Sequence, residues 1–195
     1  MRLTISCCCI VLLAISFSPT VAAQTMTSLF EFDQAGDTAK WQIVNDGVMG
    51  GRSSSQAEIL NADAGQGEAV MRFSGNLSLE NNGGFASVRS RTSGSLGLTP
   101  GKTIVLRVKG DGRRYTFNLY TPDRRTAFSY QMDFDTTAGQ WTEVKLPVDK
   151  FVAHSYGRPM TDLKLNPAEV QSVGILLGDK KPGTFEILVA RIGIE

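Results

Sequence analysis

The residues suited to chemistry are few and scattered. His154 is the one histidine of the chain, so no His-x-x-x-His pair or facial triad can form around a metal ion. Alone, it reads as a surface or core-edge residue rather than a general base. No Gly-x-Ser-x-Gly elbow offers a serine nucleophile. Asp133 and Asp135 flank Phe134, which puts both carboxylates on one face of an extended segment. A glycosidase pair sits on separate elements about 5–10 Å apart, so this spacing fits a solvated strand edge, with a shared cation as the alternative. Gly110-Asp111-Gly112 opens like a dinucleotide fingerprint, but Tyr115 stands where the third glycine belongs. Between two strands it reads as a hairpin turn. The sequence therefore predicts no enzyme, no cofactor and no metal site.

The stretch from Trp41 to Ser55 stands out: a strand opens it, a glycine-rich bend follows, and three serines enter another strand. One reading is structural: Asp46-Gly47 and Gly50-Gly51 form turns, Asp46 accepts backbone N–H bonds, and Val48 and Met49 plug the end of the core. The other is functional: Gly47, Gly50 and Gly51 let the backbone approach a ligand or partner, with Asn45, Asp46 and Arg52 as polar contacts. Arg89 and Arg107 extend the functional reading. They are expected to line a shallow groove on the concave face beside Asn45 and Asp46, where a planar guanidinium suits carboxylates or vicinal hydroxyls. The alternative is that they solvate an outer face, their stems covering apolar surface. Tyr115, Tyr120, Tyr130 and Trp141 could form a sugar platform or could bury in the core.

The elements that must position these residues are strands. Thr103–Lys109, Tyr115–Tyr120, Phe128–Phe134 and Trp141–Leu146 alternate apolar and polar side chains with a period of two. Shorter runs of the same kind are Leu29–Phe32, Trp41–Val44, Ser55–Leu60, Ala69–Ser74, Phe85–Arg91, Ser172–Leu177 and Thr184–Ile192. Gly, Pro and Asn clusters separate them. Short strands at this spacing make an all-β sandwich or barrel. The one helix signal is Asn166-Pro167-Ala168-Glu169-Val170, with an N-cap residue followed by proline.

The first residues read as a leader. Arg2 precedes an apolar run from Cys7 to Phe17, and Val21-Ala22-Ala23 follows, the pattern of a secretory signal cleaved after Ala23. The run is too short for a membrane anchor, which needs about 20 apolar residues. The expectation is a signal at 1–23 and one exported domain at 24–195, periplasmic or secreted. All three cysteines lie in the leader, so cleavage would leave no disulfide, Cys–zinc site or Cys nucleophile. Hydrophobic residues at 42% and charged residues at 20% suit a soluble globular chain. A net charge of +1 gives no electrostatic ground for nucleic acid or an anionic membrane as partner.

Trp41-x-x-Val-Asn-Asp-Gly-Val-Met-Gly-Gly-x-Ser-Ser-Ser, ending at Ser55, resembles the opening signature of the complex I intermediate-associated protein family, whose mitochondrial members assist assembly of NADH:ubiquinone oxidoreductase. Gly83-Gly84-Phe85-Ala86-Ser87-Val88-Arg89, Leu106 to Arg113 with Tyr115, and Gly183 to Ile187 resemble its later blocks. The resemblance implies a jelly-roll β-sandwich similar to galactose-binding domains. It also implies a non-catalytic role, binding another protein as a chaperone or assembly factor. A carbohydrate or small ligand is the alternative partner, resting on the fold analogy.

Overall fold

The computed structural model describes residues 26–195 apart from 33–34, 62–68, 92–93, 124 and 126. The predicted leader, 1–23, lies outside the described residues. Among those described, the chain forms β1 (Thr27–Glu31), β2 (Trp41–Ile43), β3 (Ser54–Leu60), β4 (Val70–Leu77), β5 (Ala86–Ser90), β6 (Thr103–Lys109), β7 (Arg114–Tyr120), β8 (Phe128–Asp135), β9 (Trp141–Pro147), β10 (Val152–Ser155), β11 (Arg158–Pro159), β12 (Ser172–Leu177) and β13 (Gly183–Ile194). No helix among them is long and apolar enough to cross a membrane.

One antiparallel sheet runs β3-β4-β13-β6-β9, with β1 paired along the C-terminal half of β13. The other runs β11-β10-β8-β7-β12-β5-β2. The sheets stack as an all-β jelly-roll sandwich. The period-two pattern explains the packing, because every second side chain of a strand faces the opposite sheet. Phe73, Leu106 and Ile187 come inward from the first sheet, and Val88, Phe117 and Ile175 from the second, all closed to solvent. Aromatic edges also pack within the layers: Phe73 on β4 meets Phe185 on the neighbouring β13 at 5.0 Å, and Phe117 on β7 meets Phe151, just ahead of β10, at 6.4 Å.

Three expectations change. Gly110-Asp111-Gly112 is not a hairpin turn, because β6 and β7 lie in different sheets. Asp111 directs the crossover, its carboxylate accepting N–H bonds from Arg113 and from Glu186 of β13. The helix signal yields a single 3-10 turn, Pro167–Glu169. Asn166 does not cap it through its side chain but donates to the Glu169 carboxylate at 3.0 Å. β10 and β11 were not anticipated, being too short to show alternation.

Candidate functional site

Between β2 and β3 the chain makes a short 3-10 turn, Asp46–Met49. Asp46 is charged yet wholly buried. One carboxylate oxygen accepts the Ser53 N–H at 2.9 Å. The other accepts the Ser53 hydroxyl at 2.5 Å and the N–H groups of Gly84 and Phe85 at 2.7 and 3.3 Å. Ser53 in turn bonds both ways with the backbone of Ser78. The carboxylate thus ties the 46–53 loop to the 78–85 loop between β4 and β5. Burial alone would favour the protonated acid, but the Ser53 hydroxyl and the three N–H donors outweigh it and hold the carboxyl below its ordinary range. Glycine is required beside it. Gly50 has φ +89, and a Cβ on Gly51 or Gly83 would lie within 2.4–2.7 Å of the Asp46 carboxyl.

Asn45 clips the same region from the sheet side. Its carbonyl oxygen accepts the Ser55 hydroxyl at 2.7 Å and the Ser87 N–H at 3.3 Å, so one amide joins β3 of the first sheet to β5 of the second. Arg52 reaches across the loop pair to Glu80 at 3.2 Å, in water. Val48 and Met49 do not plug the core. They point outward, 74% and 52% exposed, and Leu79 on the partner loop is 43% exposed. The Asp46 carboxylate already fills the interior space under the turn, so the apolar pair has nowhere inward to go.

Arg89 and Arg107 do not converge on one groove. Arg89 lies on β5, where Val88 and Ser90 are the inward residues, so it points out from the second sheet. Arg107 lies on β6 between inward Leu106 and Val108 and points out from the first sheet, its guanidinium 5.6 Å from the Trp141 ring. Alternation assigns a side chain to a face of its own sheet, and the β5–β6 connection changes sheet. Tyr115 is also corrected as a contact residue. It is fully buried, stacked 6.0 Å from Phe134, with its hydroxyl donating to Asp111 at 3.1 Å. Tyr130 is a core residue as well. Tyr120 stays on the outer side of the second sheet and Trp141 on the outer side of the first, so no face collects the four aromatics.

Asp133 and Asp135 share a face of β8, but strand neighbours engage each separately. Thr116 donates to Asp133 at 2.7 Å, and Arg114 pairs with Asp135 at 2.8 and 2.9 Å. Arg114 holds the Asp135 carboxyl below its ordinary range. His154 lies on β10 with Nδ1 3.0 Å from the Val152 carbonyl. Sequence reading did not reach Ser53, Ser78, Leu79 or Gly84 as parts of the Asp46 site. The glycine pair Gly83-Gly84 was the available signal, but nothing local shows that Asp46, 38 residues away, bonds to it.

The complex I intermediate-associated protein 30 family matches residues 30–189. The mouse "Complex I intermediate-associated protein 30, mitochondrial" is 28% identical over 187 residues, covering 85% of this chain and 55% of its own length. The Drosophila melanogaster protein of that name is 26% identical, covering 86% of this chain and 62% of its own. A probable Caenorhabditis elegans counterpart is 27% identical, with 85% and 53% covered. The chain spans about half the length of the curated relatives it matches. Among solved structures, a family 11 carbohydrate-binding module from Clostridium thermocellum superposes with a TM-score of 0.64 at 14% identity, covering 89% of this chain and 96% of the module. A family 30 module follows at 0.57 and 12%, with 88% and 97% covered. At these identities the likeness shows the β-sandwich fold alone. The expectation of an exported, periplasmic or secreted protein is overturned, because the mouse, worm and fly relatives are all named mitochondrial. A single Arg before an apolar run is a matter of composition, and composition does not identify the membrane that receives a leader.

Proposed function

The chain belongs to the complex I intermediate-associated protein 30 family, and we propose that it is a non-catalytic assembly protein that holds a protein partner through the Asp46-centred loop pair. One observation carries this reading: Val48 and Met49 are held outward on a turn fixed by a buried carboxylate with four bonds. Large apolar side chains set rigidly in water gain nothing within the chain, and they favour a surface that covers them. A turn already fixed loses little conformational entropy on docking. Methionine, flexible and polarizable, adapts to an irregular counter-surface. Leu79, on the loop tied to this one, adds apolar area. The names of the relatives, complex I intermediate-associated proteins, support a subunit or partial assembly of complex I as the partner.

A carbohydrate partner is the weaker reading. A sugar platform needs aromatic faces gathered on one surface, and here two of the four candidates are in the core and the other two lie on opposite sheets. The test is a Val48→Asp, Met49→Asp double variant of the full chain, expressed in cells whose own relative is deleted. Wild type should co-migrate with partly assembled complex I on native gels. The variant should lose that co-migration while its melting temperature stays within about 2 °C of wild type, since exposed positions rarely shift stability by more than about 0.5 kcal/mol. Unchanged co-migration would sink the proposal.

A further inference from the structure

We infer that the outer face of the second sheet carries a separate site, centred on Arg89, that binds a carboxylate. The register sets Gln42, Arg89, Gly174, Asn118 and Gln131 in one row across β2, β5, β12, β7 and β8. The gap in that row is Gly174. A Cβ there would lie 3.1 Å from the Tyr120 ring and 2.9 Å from the Val88 carbonyl, so the ring lies down across β12 where a side chain would otherwise stand. The Arg89 guanidinium stacks on this ring, 3.8 Å from its centroid. Burial raises the Tyr120 hydroxyl pKa against the pull of the Arg89 charge beside it. Sheet, phenol ring and guanidinium thus form three layers, and the outermost is a planar cation.

Stacking fixes the plane of the guanidinium and leaves its edges to make bonds. The Arg89 Nε is shut from solvent and has no acceptor among the described residues, so a ligand would meet the fork at its two Nη groups. Among the described residues no carboxylate pairs with Arg89, nor with the exposed Arg91 just beyond the end of β5. The acids of this face, Asp133 and Asp135, are on β8, three strands away, and are already engaged by Thr116 and Arg114. Here the planar fork is braced by a ring, and Gln42 stands opposite Arg89 in register on β2.

The occupant with matching chemistry is a carboxylate, which takes two parallel N–H bonds from a guanidinium. Phosphate also matches a guanidinium fork, but the sheet lacks the other half of a phosphate site. The anion is characteristically cradled by free backbone N–H groups at loops and helix ends, and within this sheet those groups are spent on the ladder. A carboxylate could come from an Asp or Glu of a protein or from a small organic acid. Either source is independent of the Val48–Met49 turn, so the two proposals fail separately.

The experiment observes the arginine Nε–Hε resonances of the 15N-labelled full chain during titration at constant ionic strength. The ligands are succinate, a glutamate-containing peptide, inorganic phosphate and chloride. The Arg89 signal should move saturably with succinate or with the peptide, and which of the two binds tighter identifies the source. Arg89→Lys keeps the charge but loses the fork, and should bind at least ten-fold more weakly. Tyr120→Leu removes the ring and should weaken binding too; Tyr120→Phe, which keeps the ring and the packing, should not. No saturable shift with either carboxylate overturns the site, and so does an equal response to chloride or phosphate, or undiminished binding by Arg89→Lys.

Discussion

The Asp46 carboxylate and the Gly51 backbone are so close that a Cβ on residue 51 would lie 2.5 Å from Oδ1 and 2.4 Å from the carboxyl carbon. The bare backbone of one residue and the buried charge of the other are therefore a single device. It ranks the three glycines of the turn. Gly47 has open space around its missing Cβ and no positive φ, Gly50 has space but φ +89, and Gly51 has the clash. Gly47→Ala should leave the melting temperature nearly unchanged. Gly50→Ala should cost about 1–2 kcal/mol for the left-handed conformation. Gly51→Ala should cost more, since it pushes the carboxylate off buried donors worth about 1–3 kcal/mol each. At about 2–4 °C per kcal/mol in a domain of this size, thermal melts of the three variants separate these outcomes. Equal melts for all three would contradict the geometry.

The same carboxylate makes stability depend on pH. Its folded pKa is depressed, by hydrogen bonds that overcome burial, so its contribution is fully present above the unfolded value of about 3.9 and is lost as pH falls through the lower folded value. Asp179, also depressed, has the same sign, so acid destabilisation of wild type alone would not isolate Asp46. Asp46→Asn does. At neutral pH it should melt well below wild type, because the amide turns a donor toward the N–H groups of Gly84 or Ser53. The gap between the two proteins should narrow steadily below about pH 4. A gap independent of pH would mean that Asp46 is not ionised in the fold.

The strands were legible in sequence because a period of two survives in residues such as Phe128, Tyr130 and Phe134, each facing inward in the structure. Which sheet a strand joins was not legible. Nothing in Gly110-Asp111-Gly112 distinguishes a hairpin from a crossover until Asp111 is seen accepting the Glu186 N–H from β13. Arg89 and Arg107 were misgrouped for the same reason. Asp46 stood out as a backbone acceptor among glycines, but its donors on Gly84 and Phe85 come from a loop remote in sequence. Val48 and Met49 look like core residues by type. Only the filled space beneath their turn reveals that they face water.

Arg113 and Asp179 make the most enclosed ion pair described, with side chains 12% and 8% exposed and N–O contacts of 2.6 and 3.0 Å. Arg113 also donates to the Lys181 and Thr184 carbonyls, fastening the turn that starts β13. Removing one partner should leave the other charge buried and cost about 3–5 kcal/mol. Asp179→Ala should show this in denaturant melts. Arg113→Lys should recover only part, since an ammonium cannot reach the carboxylate and both carbonyls with a planar fork. A double variant, Arg113→Met with Asp179→Leu, should be more stable than either single loss. If the single variants melt like wild type, the pair contributes nothing to the fold.

Tyr115 separates a structural role from a binding role most cleanly. Its hydroxyl donates to Asp111 at 3.1 Å, and the other Asp111 oxygen receives the Glu186 N–H. The ring lies against Phe134 with no exposure. Burial first, and then the Asp111 charge, push the phenol well above its free value. A phenol whose folded pKa is raised stabilises the fold fully below the free value of about 10, and that stability declines as pH rises beyond it. Tyr115→Phe keeps the ring and removes the bond to a charged acceptor, a loss of about 1.5–3 kcal/mol. Its melting temperature should therefore fall by roughly 3–12 °C at neutral pH, and its stability should decline less than wild type's between pH 9 and 11. Co-migration with a complex I intermediate, measured well below the variant's melting point, should be unaffected. A variant that melts like wild type but loses that co-migration would return Tyr115 to the contact surface and remove it from the frame that holds β6, β7 and β13 together.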